Sequence, residues 1–171
     1  MNKIIKSKKF ILRPYRKGDE ESLIKNINDK VIYRYTCNIP YPYKQKDAKQ
    51  WIARCKKRNK KKTEINFAID INRKVVGGAG FLNIENHKAE IGYWLGKKYW
   101  GKGIVTEAVK LVTNFGFKKL HLKRIYATVF LKNKASARVL EKNGYKREGI
   151  MRKFHLKDGK FLDAILYAKV K

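Results

Sequence analysis

The chain has 171 residues, 43% of them hydrophobic and 12% aromatic, enough for one core and short for two, so a single domain over residues 1–171 with its core at about 9–169 is expected. Its 43 Lys and Arg against 14 Asp and Glu give a formal charge of +29, a field that suits nucleic acid, ribosome, anionic lipid or a phosphate-rich cofactor, and equally describes a solvated lysine-rich surface. Two cysteines outside any CxxC pair, and three histidines (His87, His121 and His155) without HExxH or HxH spacing, argue against a disulfide framework and a metal centre, leaving the histidines as ordinary surface or core residues.

The N-terminus is basic without an apolar leader segment, and the longest apolar run, residues 125–131, is too short to span a bilayer. A soluble, cytoplasmic chain with no membrane partner is expected. A short strand at about 9–13 leads through a turn at Arg16 to Gly18 into a helix, with Asp19 as N-cap and Glu20 and Glu21 favouring the helix dipole. Pro40 and Pro42, among aromatics, make residues 35–43 a loop over the active-site side. Ala48, Trp51, Ile52 and Cys55 fall at i, i+3, i+4 and i+7, one stripe of a helix. The lysine run at 56–62 reads as a solvated helix end or as a patch for nucleic acid or membrane.

From Glu64 the pattern turns to strands, with 64–70, 74–84 and 88–95 forming an antiparallel meander around polar turns at 72–74 and 85–87. Gly77, Gly78 and Gly80 suggest a bulge or a close backbone approach. A helix from about Ile104, a strand at 123–131, a helix closed by Gly144, and two strands joined through Asp158 and Gly159 complete the order. The expected architecture is α/β of the α+β type, a mixed, mostly antiparallel sheet of six to seven strands flanked by about four helices.

Residues 91–109, IGYWLGKKYWGKGIVTEAV, carry the most information. A strand ends, a glycine-rich turn follows and a helix begins, so free N–H groups and the helix dipole face one point, a site for phosphate. Gly101 and Gly103 leave that approach unblocked. GKKYWGK meets the P-loop pattern until Gly103 stands where Ser or Thr should hold Mg²⁺, and GxGxxG ends on Thr106 after a meander with no βαβ unit. Both nucleotide readings fail.

Residues 89–109 resemble motif A of the GNAT acetyltransferases, with the pattern [RQ]xxGxG/A falling on Lys98 to Gly103 and Lys98 replacing the usual Arg or Gln. FLKNKASARVLEKNGYKREG, residues 130–149, resembles motif B. FILRPYRKGDEESL and DGKFLDAILYA are similar to the ribosomal-protein N-terminal and spermidine acetyltransferase branch.

The resemblance implies acetyl-coenzyme A as cosubstrate and no metal. Gly101, Lys102, Gly103, Ile104, Val105 and Thr106 would cradle the pyrophosphate, with Lys98 beside them. Tyr93, Trp94 and Leu95 would border a gap between diverging strands where pantetheine lies as an added strand, and one of their N–H groups would face the oxyanion. Asn133 would bond the pantetheine arm, and reads equally as a helix N-cap. Ser136 takes the position of the proton donor to sulfur, or is simply a small residue in a first helical turn.

An amine attacking the thioester also needs a proton acceptor. Alternation puts Glu90 on the face opposite Ile91 and Tyr93, making it the first candidate, although a sheet glutamate paired with a lysine fits the same pattern. Glu64 and Tyr35 follow as fallbacks, Asp163 as a shaper of the acceptor pocket, and Glu107 reads as a helix-dipole carboxylate. The expected function is acetylation of a primary amine, first a protein N-terminus and alternatively a polyamine or other small amine. A non-catalytic, basic nucleic-acid module of this fold, with non-specific ribosome or nucleic-acid association, is the rival. Monomer and homodimer both stay open.

Overall fold

A two-residue strand, β1 (Ile5–Lys6), folds back antiparallel on β2 (Ile11–Pro14), and β2 in turn lies against β3 (Ile65–Ile71). This is seen in a computed structural model that describes residues 4–171; the first three residues of the basic N-terminus and of the expected domain lie outside the described residues. Between β2 and β3 run α1 (Glu20–Ile27), α2 (Lys30–Arg34) and α3 (Gln45–Lys61). After β3 come β4 (Lys74–Glu85), β5 (Lys88–Leu95), a 3₁₀ turn (Lys97–Tyr99) and α4 (Ile104–Lys119). β6 (Arg124–Phe130), α5 (Lys134–Lys142), β7 (Lys146–Lys157) and β8 (Lys160–Val170) follow.

The eight strands form one sheet in the order β1-β2-β3-β4-β5-β6-β8-β7, antiparallel except where β5 meets β6. The class is the expected one, with one strand and one helix more. β1 is too short to show alternation, and the five-residue α2 is too short to show a helical period. Asn72–Arg73 and Asp158–Gly159 all have positive φ, as tight hairpin turns of matching twist require. No helix among the described residues is long and apolar enough to cross a membrane.

Two cores lie on opposite faces of the sheet. On one, Phe81, Ile91 and Ile125 pack under Val109 and Val112 of α4; on the other, Leu23, Ala48 and Cys55 cover Ala68 and Val75. Each large side chain buried this way contributes roughly 1.5–3 kcal/mol. α4 approaches so closely that a Cβ on Gly116 would stand 2.6 Å from Phe81.

Asp19 does precede α1, but its carboxylate does not cap it. Both oxygens instead bind the Arg13 guanidinium at 2.7 and 2.8 Å, and Arg13 also reaches Asp70 at 2.6 Å. Burial opposes the Arg13 charge, yet the two carboxylates outweigh it and raise its pKa. The close approach expected at the β4 glycines is present: a Cβ on Gly78 would meet Tyr15 Oη at 2.2 Å, and one on Gly80 the Ile65 carbonyl at 2.4 Å. A bulge is present there too: Val76, next to Gly77, is the extra residue of β4 opposite Ile69 and Asp70 of β3.

Candidate active site

β5 and β6 stay paired only from Lys88–Glu90 against Arg124–Tyr126. Beyond that point β5 pairs with β4 alone and β6 with β8 alone, so a wedge opens in the middle of the sheet. The wedge belongs to a cleft of about 1460 Å³ that reaches both faces.

At one end the Gly-rich turn meets α4. Gly103 is its N-cap, with φ of 72°, and Gly101 has φ of 74°, the left-handed region that glycine enters without steric cost. A Cβ at either would meet nothing within 4 Å, so the space beyond them is open. The first N–H to find an intrahelical acceptor is that of Glu107, on the Gly103 carbonyl at 3.0 Å. The preceding N–H groups point outward as a helix start leaves them. Gly101 and Gly103 to Thr106 line the cleft, whereas Lys98 and Lys102 do not; both ammonium groups approach the Tyr99 ring, at 5.0 and 5.8 Å. Glu107 accepts a hydrogen bond from Ser7 Oγ at 2.6 Å.

Tyr93, Trp94 and Leu95 border the wedge. Trp94 turns toward the α1 and α3 side, while Leu95 belongs to the core under α4 and Tyr93 packs against it. Tyr93 Oη donates to the Ser136 carbonyl at 3.0 Å and stands 2.7 Å from Ser136 Oγ. Burial raises the Tyr93 pKa, with the Ser136 hydrogen bond opposing it, so the phenol stays a donor. Asn133 caps α5 through Oδ1, which accepts from Ser136 N at 3.1 Å. Its Nδ2 has no partner among the described residues, and Asn133 lines the cleft, so the N-cap role leaves the amide N–H groups available.

Glu90 is the last β5 residue paired with β6, at the point where the wedge opens. Thr128 Oγ1 donates to Glu90 Oε1 at 3.1 Å, and His155 Nε2 lies 3.2 Å from the same Oγ1. Burial raises the Glu90 pKa, opposed by hydrogen bonds from Thr128 and Asn83. No cation lies within ion-pair distance of Glu90 among the described residues, so the alternative of a lysine-paired sheet glutamate does not apply. Thr128 and His155 carry no sequence signal for this role: they sit on different strands, 27 residues apart in the chain, and His155 follows an irregularity in β7 after Met151.

The other candidates sit as follows. Glu64 is buried and held by Arg54 at 2.7 Å and Arg58 at 2.5 Å, which removes it as a free base. Tyr35 lines the cleft. Asp163 is outside the lining, where its Oδ1 accepts from Lys153 N at 2.7 Å and closes the irregularity in β7. A contact crosses the cleft mouth: Tyr33 donates to Asp158, and Lys157 Nζ reaches the Thr36 carbonyl at 2.9 Å and the Tyr33 ring at 3.6 Å. Among the described residues no cluster of His, Cys, Asp and Glu fits a metal ion.

The model of the acetyltransferase (GNAT) domain matches residues 9–146. The uncharacterized N-acetyltransferase p20 of Bacillus licheniformis is 37% identical over 99 residues, 57% of this chain and 56% of that protein. The [ribosomal protein uS5]-alanine N-acetyltransferase of Escherichia coli is 31% identical over 99 residues, 56% of this chain and 51% of that protein. The chain thus spans little more than half the length of these two relatives. The crystal structure of the microcin C7 self-immunity acetyltransferase MccE, in complex with acetyl-CoA and AMP, superposes with a TM-score of 0.85 at 26% identity, covering 96% of this chain and 94% of that one.

Proposed function

We propose, because the chain belongs to the GNAT acetyltransferase family, that it moves the acetyl group of acetyl-coenzyme A onto a primary amine, with a protein N-terminal α-amine as its acceptor. The observation that carries this reading is the wedge between β5 and β6, which ends at the outward N–H groups of Gly101 and Gly103 to Thr106. Acetyl-coenzyme A supplies an activated thioester and an anionic tail. The open space beyond Gly101 and Gly103 and the α4 dipole suit the tail, and the unpaired edge of β5 suits an extended arm.

The chain's own groups divide the remaining work. Asn133 Nδ2 is free to bond the arm. Ser136 Oγ, held against Tyr93 Oη, is placed as the proton donor to departing sulfur. Glu90, without a cation partner, is placed on the acceptor side to receive the amine proton. The uS5-alanine acetyltransferase among the relatives supports the N-terminal α-amine.

A polyamine or other small amine is the second reading, favoured by that same Glu90 carboxylate, which offers a polycation a locally negative point. Thiol release from acetyl-coenzyme A, measured with an alanine-starting peptide and with spermidine, separates the two. Faster turnover of spermidine overturns the N-terminal assignment. The exposed lysines of α3, among them Lys56, Lys57, Lys60 and Lys61, are further proposed to give non-specific association with RNA or ribosome, to be read as binding that falls steeply with salt.

A further inference from the structure

Thr128 has one hydroxyl proton, and it points to Glu90 Oε1. A hydrogen bond between the same Oγ1 and His155 therefore requires His155 to donate, which fixes its tautomer as Nε2–H and leaves Nδ1 with a lone pair. His155 lines the cleft, and Nδ1 has no partner among the described residues. The imidazole is held edge-on between Phe130 and Phe154, with centroids at 5.2 and 4.7 Å. Such a ring is fixed in orientation and shielded from water on two sides. The half-buried site lowers the His155 pKa through desolvation, which keeps it neutral.

Resting on the acetyltransferase reading, we propose that His155 is a further catalytic residue, whose Nδ1 takes the proton of the acceptor amine while Thr128 relays the Nε2 proton to Glu90. The balance is simple. The ammonium N–H bond breaks and an Nδ1–H bond forms; the Nε2 proton passes to Thr128 Oγ1 as the Thr128 proton passes to Glu90 Oε1. The amine is left neutral with its lone pair free, the imidazole neutral with its tautomer exchanged, and Glu90 neutral as the acid.

Burial that raises the Glu90 pKa thus acts in favour of the last transfer. The surrounding groups leave this direction intact. Asn83 of β4 donates to Glu90, while Cys37 after α2 and Tyr126 of β6 lie within its electrostatic reach. Lys157 at the end of β7 is turned to the Thr36 carbonyl and the Tyr33 ring.

The test is thiol release by the full chain with acetyl-coenzyme A and either an alanine-starting peptide or spermidine, as a function of pH, for wild type, His155→Gln, Thr128→Val and Thr128→Ser. Wild type is expected to lose activity on an acid limb below the ordinary histidine range. His155→Gln should lower kcat about 10²-fold and remove that limb, since a positioned base contributes at least this much. Thr128→Val should fall toward the same level, and Thr128→Ser, which restores the hydroxyl, should stay within about threefold of wild type by the same reasoning. Nitrogen NMR of labelled histidine reads the network without turnover and should find His155 neutral and Nε2–H at pH 7. An Nδ1–H or charged His155 overturns the relay, as does turnover by wild type that His155→Gln and Thr128→Val match in rate and pH profile. Absence of thiol release by wild type with both amines overturns the acetyltransferase reading itself, and the relay with it.

Discussion

Tyr93 Oη on β5 stands 2.7 Å from Ser136 Oγ in the first turn of α5, and 3.0 Å from the Ser136 carbonyl it donates to. With its own proton engaged by that carbonyl, Tyr93 can accept from Ser136 Oγ in the resting site, so the serine hydroxyl has to turn from Tyr93 to the departing sulfur to donate its one proton. Two hydroxyls then share one position near the expected sulfur. Ser136→Ala and Tyr93→Phe should each reduce kcat less than the pair together, and the double variant should lose about 10²-fold, the low end for a general acid. Saturating thiol-release assays check this; an unchanged kcat in the double variant would remove both groups from the chemistry.

The Arg13 bridge to Asp19 and Asp70 sets β2 and the start of α1 against β3. All three groups are buried, at 4%, 3% and 5% exposure, so Arg13→Ala leaves Asp70 without a cation and Asp19 with only the exposed Arg16 at 3.9 Å. A loss of about 3–5 kcal/mol is expected from breaking such a pair from one side. Urea unfolding monitored by the tryptophans measures it.

Tyr33 and Asp158 join α2 to the β7–β8 turn across the cleft mouth. Tyr33→Phe deletes that hydrogen bond and keeps the ring under Lys157. A net hydrogen bond is worth roughly 0.5–1.5 kcal/mol, so KM for the amine should rise about 2- to 10-fold while KM for acetyl-coenzyme A stays constant. A change confined to the cofactor KM would put the contact on the other substrate.

His155 also gives stability a pH dependence with a definite sign. Its folded pKa lies below the ordinary histidine value through burial, so the unfolded chain binds the proton first as pH falls. Stability should therefore decline as pH drops below the ordinary histidine range, and level off only below the folded value. His155→Gln should flatten that part of the curve, read from melting temperatures across pH.

Much of this layout is legible in the sequence because local signals agree with the tertiary result. The Ala48 to Cys55 stripe, the Asp158–Gly159 turn and the strand, glycine turn and helix at 91–109 each depend on neighbours in the chain. What escapes depends on distant ones. The carboxylate of Asp19 is an N-cap by position, but Arg13 claims it once β2 and α1 are packed. Glu64 looks like any strand glutamate until α3 brings Arg54 and Arg58 over it. Thr128 pairs with Leu166 and His155 with Leu162, four residues apart along β8, so strand register alone does not align them, and the irregularity in β7 between Met151 and His155 intervenes. The wedge, a failure of pairing between β5 and β6, is expected only through the family resemblance, since no local periodicity encodes it.

The most direct test of the cleft as an acetyl-coenzyme A site is the melting temperature with increasing cofactor, for wild type, Gly103→Asn and Gly103→Glu. Gly103 lies in the left-handed region with open space beyond it. Asparagine tolerates that conformation, whereas glutamate adds a negative side chain at the helix start. A ligand bound only by the folded state stabilises by about 2.7 kcal/mol at a hundredfold excess over Kd. A saturable upward shift in wild type, kept at least in part by Gly103→Asn and lost in a folded Gly103→Glu, is the expected result. No shift in wild type at millimolar cofactor, or the same shift in all three, would contradict the site.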